Sequence, residues 1–439
     1  MNKLNLTKQS QVNLKRWLIG LLFFVTTLYY FAGLPGIPFH PDESTYLFMS
    51  SDFRTIFTDP SLLFWQSSLE GNIKQHYREL DAPITRDLIG AGLLIGGYPS
   101  LLVDWNWSNT WNQNIQAGAL PDSTQLLIGR ASVAWLFPFS LVLMFSIGKK
   151  LRYNLFGLFS AVLFASNALV LLHTRRAMEE SVLAFGVCLS LWGILNSEKK
   201  PWIAVVGAAI AFNTKQSAIA LAPVALLAIC WPYLHPASIK RILIRVGLFL
   251  AIFSGITLLL NPFLFSNPIQ AAKAAIQARQ GFISQQVDTL QSIAPEQVLY
   301  SPGERILALI AQLYILPPAV EDVGNYEKDI APAKAAYFQQ PGMDLFRGLV
   351  WGSIFLALTF LGVIVTVLRI LRRGLQSEKR YALLLLAYLL QILVLIITIP
   401  IPYQRYWIPL IPFTCVWILL AMFEISRVGK QILKPFLHR

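Results

Sequence analysis

The sequence predicts an all-α, polytopic membrane protein with about 10 transmembrane helices, and three observations predict it. Of its 439 residues 55% are hydrophobic and only 13% charged, with a mean hydropathy of +0.54, too apolar for a soluble domain of this length. The apolar residues gather into runs of the roughly 20 residues that a helix needs to cross a bilayer. Basic residues recur in every second connection between those runs, as expected where cytoplasmic loops retain Lys and Arg.

The first run, 15–34, has a basic flank like that of a signal peptide, but no small-x-small cleavage site precedes Pro35, so it reads as a retained helix. Further runs follow at 125–147, 153–172 and 178–196. A short run at 202–214 is parted from 216–233 by Lys215, and the remainder lie at 242–261, 346–369, 381–400 and 405–426. With Lys3, Lys8, Lys15 and Arg16 in the cytoplasm, four further basic groups fall on the same side: Lys149/Lys150/Arg152, Lys199/Lys200, Lys240/Arg241/Arg245 and Arg369 to Arg380. So does the tail, Arg427, Lys430, Lys434 and Arg439. That side receives 21 Lys and Arg against 3 acids, and the opposite side 15 against 20. The net charge of +13 is then a product of topology, not a nucleic-acid footprint, and both termini are expected in the cytoplasm. Cys188, Cys230 and Cys415 sit in apolar runs with no CxxC or Cys/His spacing, which suggests neither disulfides nor zinc.

Two external loops are long. The first, 35–124, contains amphipathic stretches near 44–57 and 84–94 of the kind that lie along a membrane surface. The second, 262–345, is Gln- and Ala-rich with turn signals at Ala294-Pro295, Ser301-Pro302-Gly303 and Pro317-Pro318, which predicts short helices and loops. The organisation expected is a membrane core over 1–261, an external cover for donor or acceptor over 262–345, and C-terminal helices with a basic tail over 346–439.

Ionisable groups near the membrane on one side single out candidate residues. FHPDESTYLFM (39–49) places His40, Asp42 and Glu43 at the mouth of the first run. The two acids project about 100° apart on any helix, so one faces the chemistry, although acids there also complement a helix dipole. HTRRAMEES (173–181) adds Arg175 and Glu180 where two runs meet. Lys215 interrupts two apolar half-spans, Arg405 opens the last run in PYQRYWIPLIP, and Arg86 comes from DAPITRDLIGAG. Charged groups at membrane depth are costly and mark function by default. Together these cations suit a lipid-linked phosphate, while a carboxylate handles a proton.

These residues resemble the integral-membrane glycosyltransferases that use polyprenyl-phosphate sugars, the group containing protein O-mannosyltransferases and the aminoarabinose transferases that modify lipid A. The likeness rests on Asp42-Glu43 followed by Tyr46, and on DAPITRDLIGAGLLIGG against a family pattern HPPLGKLLIALG, with Pro83 kept and Arg86 in place of Lys. It also rests on Thr174-Arg175-Arg176 with Glu180, on the Gly-containing run VVGAAIAFNTK ending at Lys215, and on Arg405-Tyr406-Trp407-Ile408-Pro409. The matches occur in family order from about residue 15 to 425. Asp81 and Ala82 depart from the family's His or Lys and first Pro. No large soluble domain follows, which leaves acceptor recognition to 262–345.

The resemblance implies a GT-C fold. It also implies inverting transfer of a hexose or pentose from a polyprenyl phosphate to an acceptor hydroxyl on a protein, lipid or envelope glycan. Asp42 is then the expected base with Glu43 beside it. Arg86, Arg175, Lys215 and Arg405 hold the lipid phosphate, and His40, Tyr46, Glu180 and Tyr406 support. A divalent metal is compatible with His40 and the carboxylates but is not assigned, for want of an Asp-x-Asp pair. The compact size points to a bacterial plasma membrane. The rival readings are a transporter or lipid flippase, which predicts ionisable groups throughout the helix depth, and a non-catalytic subunit of an envelope assembly, which tolerates loss of Asp42.

Overall fold

The computed structural model describes residues 8–69, 71–234, 238–322 and 324–433; Lys3, Lys434 and Arg439 of the charge pattern lie outside them. No strand occurs among the described residues. Among the described residues six helices are long and apolar enough to cross a membrane: Ser123–Leu151, Gln216–Tyr233, Ile239–Leu260, Gly348–Arg373, Lys379–Thr398 and Gln404–Val428. Shorter apolar helices are Arg16–Ala32, Asn154–Ala165, Glu180–Leu195 and Pro201–Phe212. Each overlaps a run read from the sequence, and the chain is an integral, multi-pass membrane protein.

The short helices have local causes. The run expected at 153–172 breaks because Asn167 caps a new helix, Ala168–His173, accepting from the Leu169 and Val170 N–H groups at 3.0 and 3.3 Å. Pro201 opens Pro201–Phe212 at a position where its missing N–H costs nothing. These pieces occupy the centre, where all but three of the 16 residues of Glu180–Leu195 are buried. Ile239–Leu260 is peripheral, with Phe249 its one buried residue.

Small residues bring the central helices together. A methyl group on Gly207 would stand 2.2 Å from the Ser190 backbone nitrogen, and one on Gly193 2.3 Å from that of Ala204. Backbones this close gain dispersion and dipole contacts where lipid supplies no hydrophobic drive.

At one end the basic loops converge, with Arg152 3.3 Å from Glu424 and Lys379 3.1 Å from Glu198. At the other end lie the two long loops. The second differs from the short helices expected: it opens with Pro268–Ile293, 26 residues long. Asn267 caps it, accepting from the Gln270 N–H at 3.2 Å, and its Ala and Gln are strong helix formers.

The loops are fastened to each other. Trp65 N–H donates to Phe263 O at 3.1 Å, and Ser266 Oγ returns a bond to Trp65 O at 2.7 Å. Farther on, Tyr326 inserts between Trp105, Trp107 and Trp111, meeting Trp105 edge-on at 5.4 Å and accepting from its Nε1 at 3.2 Å. Aromatic edge-to-face pairs of this kind add roughly 0.5–1.5 kcal/mol each beyond area burial.

Candidate active site

The helix Pro41–Met49 begins with a reciprocal cap that assigns different fates to its two acids. Asp42 N–H donates to His40 Nδ1 at 3.2 Å, while His40 N–H donates to Glu43 Oε2 at 3.0 Å. Glu43 is fully buried. Arg130 grips it with Nε on Oε1 and Nη2 on Oε2, both at 2.8 Å, and the Ala177 N–H adds a fourth bond, beside that from His40, at 2.8 Å. Burial pushes the Glu43 carboxyl up, but the Arg130 charge and these bonds prevail and hold it below the usual range. Arg130 Nη1 also caps the carbonyls of Leu34 and Ile37, so Glu43 anchors the start of the loop.

Asp42 projects the other way. Its Oδ2 lies 2.6 Å from Arg405 Nη1, and the Arg405 Nε lies 2.8 Å from Asp322 Oδ2. His40 Nε2 approaches the same Asp322 oxygen at 3.2 Å. Arg405 thus sits between two carboxylates drawn from opposite loops. Burial pushes the Asp322 carboxyl up, but Arg405 and His40 together outweigh it and hold the carboxyl well below its ordinary range.

A second cluster stands alongside. Lys215 Nζ pairs with Glu179, lies 3.5 Å from Glu180 Oε1, and rests over the Tyr406 ring at 4.6 Å. Tyr46 donates its hydroxyl proton to Glu179. Burial lowers the Lys215 ammonium, but Glu179 and Glu180 outweigh it and raise it above the usual value.

These groups border a cavity of about 330 Å³ at the loop end of the bundle. Asp42, Tyr46, Arg405 and Tyr406 line it, with Asp81, Trp107, Glu179 and Asp322, roofed by the Pro268–Ile293 helix through Arg279, Phe282 and Gln286. A second cavity of about 270 Å³ adjoins it, lined by Lys215, Ile276, Ile283, Val394 and Ile401 and sharing Arg279, Gln286 and Tyr406 with the first.

Two expected phosphate ligands do not reach either cavity. Arg86 is buried against Asp52 at 3.3 Å, and its Nη1 donates to the Asp81 carbonyl at 2.9 Å. Arg175 is fully buried over the rings of Tyr29 and Tyr30, its Nη2 donating to Tyr29 O at 3.1 Å. Both are cations consumed by the scaffold. The sequence offered no mark for Asp322, in a turn-rich loop, or for Glu179, whose neighbour Glu180 fitted the motif better. Arg279 did carry one: Ile276, Ile283, Val287 and Leu290 recur at helical spacing and predict a packed face beside it.

His40, Asp42 and Asp322 bring three metal-type ligand atoms within 4.8 Å of one another. A metal fits them poorly. Because His40 Nδ1 accepts the Asp42 N–H, a neutral ring carries its proton on Nε2, the atom a metal would need. Arg405 already occupies an oxygen of each carboxylate and balances one of their two charges.

The crystal structure of the oligosaccharyltransferase from the archaeon Archaeoglobus fulgidus in complex with Zn and sulfate has a similar fold, with a TM-score of 0.52 at 13% identity. The match covers 94% of this chain and 50% of that one. The chain has the GT-C fold. GT-C proteins of lower similarity are the S. cerevisiae protein O-mannosyltransferase complex bound to its sugar donor and ArnT from Cupriavidus metallidurans bound to undecaprenyl phosphate. The first has a TM-score of 0.41 at 16% identity over 62% of this chain and 35% of that one; the second has 0.36 at 13% over 94% and 79%. The GT-C region here thus spans about half the length of the archaeal enzyme. No family model matches the sequence, nor does any curated protein sequence.

Proposed function

We propose that this chain is an inverting glycosyltransferase moving a sugar from a polyprenyl phosphate to an acceptor hydroxyl at the external face of a plasma membrane, with both termini in the cytoplasm. The acceptor is a protein, a lipid or a glycan. The observation that carries this reading is the Asp42–Arg405 pair on the wall of a polar cavity at the loop end of the bundle. It joins a proton acceptor to a cation suited to a departing phosphate.

In the reaction, the acceptor oxygen forms a bond to the anomeric carbon as the bond from that carbon to the phosphate oxygen breaks. The acceptor proton passes to Asp42, whose Oδ2 is engaged by Arg405, leaving Oδ1 to receive it. The phosphate monoester leaves as a stable anion and needs no general acid. Proton and charge are coupled here. Arg405 faces two carboxylates before the transfer and one afterwards, so its guanidinium becomes free to balance the phosphate as negative charge grows there. Lys215 and Tyr406 form the neighbouring wall, while Glu43, Arg86, Arg175 and Glu180 hold the scaffold. The distribution of charge supports this over a transport path: the charged groups lie toward the ends of the bundle, and Pro201–Phe212 and the length of Glu180–Leu195 beyond its first residue are apolar or small.

The test is transfer by purified, reconstituted protein offered a panel of labelled polyprenyl-phosphate sugars. Asp42→Asn lowers turnover about 100- to 10,000-fold with unfolding and donor-lipid binding unchanged. Near-wild-type turnover in that variant removes the proposed base.

A further inference from the structure

Each cation near the cavities except one is already matched by acid. Arg405 faces Asp42 and Asp322, and Lys215 faces Glu179 and Glu180. With all members ionised, each cluster carries one excess negative charge, which repels an incoming phosphate. Arg279 differs. It is partly exposed, lines both cavities, and has no carboxylate within ion-pair distance among the described residues; Asp81, in the lining of the first cavity, feels its charge only from beyond that distance.

Its position is as telling as its charge. Arg279 and Gln286 are seven residues apart on Pro268–Ile293, so they share one face and look down together at Tyr406. On one side of this gateway the 330 Å³ cavity is lined by Asp42, Glu179 and Arg405; on the other the 270 Å³ cavity is walled by Ile276, Ile283, Val394 and Ile401. The apolar side opens toward lipid. Ile276 is 59% exposed, and Ile397 on the adjoining Lys379–Thr398 helix is 64% exposed.

We propose that Arg279 is the anion ligand of an isoprenoid-phosphate site that straddles the gateway. The phosphate sits against Arg279 and Gln286, the isoprenoid chain runs along Ile276, Ile283 and Val394 to the lipid edge, and the group to be transferred enters the polar cavity. This rests on the glycosyl-transfer reading and adds to it the residue, the element and the direction from which the donor arrives. A charge-assisted guanidinium–phosphate contact joined to an apolar slot selects for amphiphiles with an anionic head. A neutral polyprenol lacks the first, and inorganic phosphate lacks the second.

The experiment titrates the full-length protein in nanodiscs with undecaprenyl phosphate, with undecaprenol, and with inorganic phosphate as a competitor. Arg279→Ala is expected to weaken undecaprenyl phosphate binding at least about 10-fold, and Arg279→Lys to recover part of the loss. Undecaprenol binding stays unchanged in both, and inorganic phosphate competes poorly. Ile283→Trp, which fills the apolar slot, weakens undecaprenyl phosphate and undecaprenol alike. Lys273→Ala, an exposed cation on the same helix, changes nothing. If the wild type binds undecaprenyl phosphate and Arg279→Ala binds it equally well, or if Lys273→Ala loses as much, the assignment of Arg279 is overturned while glycosyl transfer stands. If the wild type does not bind undecaprenyl phosphate, both readings are overturned.

Discussion

Asp42 and Glu43 are adjacent in the chain, yet the fold gives them opposite tasks. Glu43 is sealed against Arg130, so removing its charge leaves a buried guanidinium without its partner. Glu43→Ala is expected to lower stability by about 3–5 kcal/mol, read as an earlier unfolding transition of the purified protein, whereas Asp42→Asn unfolds like the wild type. Equal stability of the two variants contradicts the division of labour. Asp81 offers a pH test. Burial, then the nearby Glu179 charge, raise its carboxyl from the ordinary 3.8 to about 6, so the fold prefers the neutral acid. The wild type therefore keeps this contribution below about pH 4 and loses it as the pH climbs through 6, up to about 3 kcal/mol for a shift of this size. Asp81→Asn should melt at a higher temperature than the wild type at pH 8 and show no such advantage at pH 4; a constant difference at both pH values refutes the shift. At this scale the sequence was informative where a residue type broke an apolar run, as at Lys215 and Arg405. It was silent where the decisive fact was a partner: nothing in the chain distinguishes the scaffold cations Arg86 and Arg175 from the cavity cation Arg405 until Asp52 and the Tyr29–Tyr30 rings are seen to claim them.

At the level of elements, an apolar run overlaps each of the six membrane-length helices found among the described residues, because hydropathy and helix length are properties of contiguous sequence. Interruptions within them were harder to read, since Asn167 acts through a local cap that composition barely registers. The contact of Glu180–Leu195 with Pro201–Phe212 was legible only as a glycine in VVGAAIAF. Its force lies in the approach: Gly207 leaves no room for a side chain beside Ser190. Gly207→Leu should push this hairpin apart and carry Lys215, at its end, away from Glu179. Thermal unfolding and donor-lipid affinity should both fall in that variant, while Gly255→Leu, with nothing within 4 Å, should change neither. Donor affinity surviving the loss of Gly207 refutes the link between this packing and the Lys215 cluster. The Pro268–Ile293 helix was masked in the sequence by its weak, Gln-rich polarity, which resembles a solvated loop although Ala and Gln favour helix.

The whole molecule is polar at both ends for different reasons. One end gathers basic loops, and the other gathers acids and cations around the two cavities. A single cysteine placed at Lys199 should react with membrane-impermeant reagent from the cytoplasmic side alone, and one at Lys328 from the external side alone; the reverse pattern inverts the proposed topology. The two ends are tied by helices, and the two loops are tied to each other at Tyr326 and its three tryptophans. One of those rings, Trp107, also lines the larger cavity and is 37% exposed. The protein thereby carries a built-in optical gauge. Indole emission depends on the polarity around the ring, so a donor filling the cavity changes the colour of Trp107 light, and parting of the loops changes that of Trp105 and Trp111. Subtracting the spectrum of Trp107→Phe isolates the Trp107 signal from the other eleven tryptophans, and subtracting that of Trp105→Phe isolates Trp105, so cavity filling and loop opening can each be timed on unlabelled protein in its own membrane.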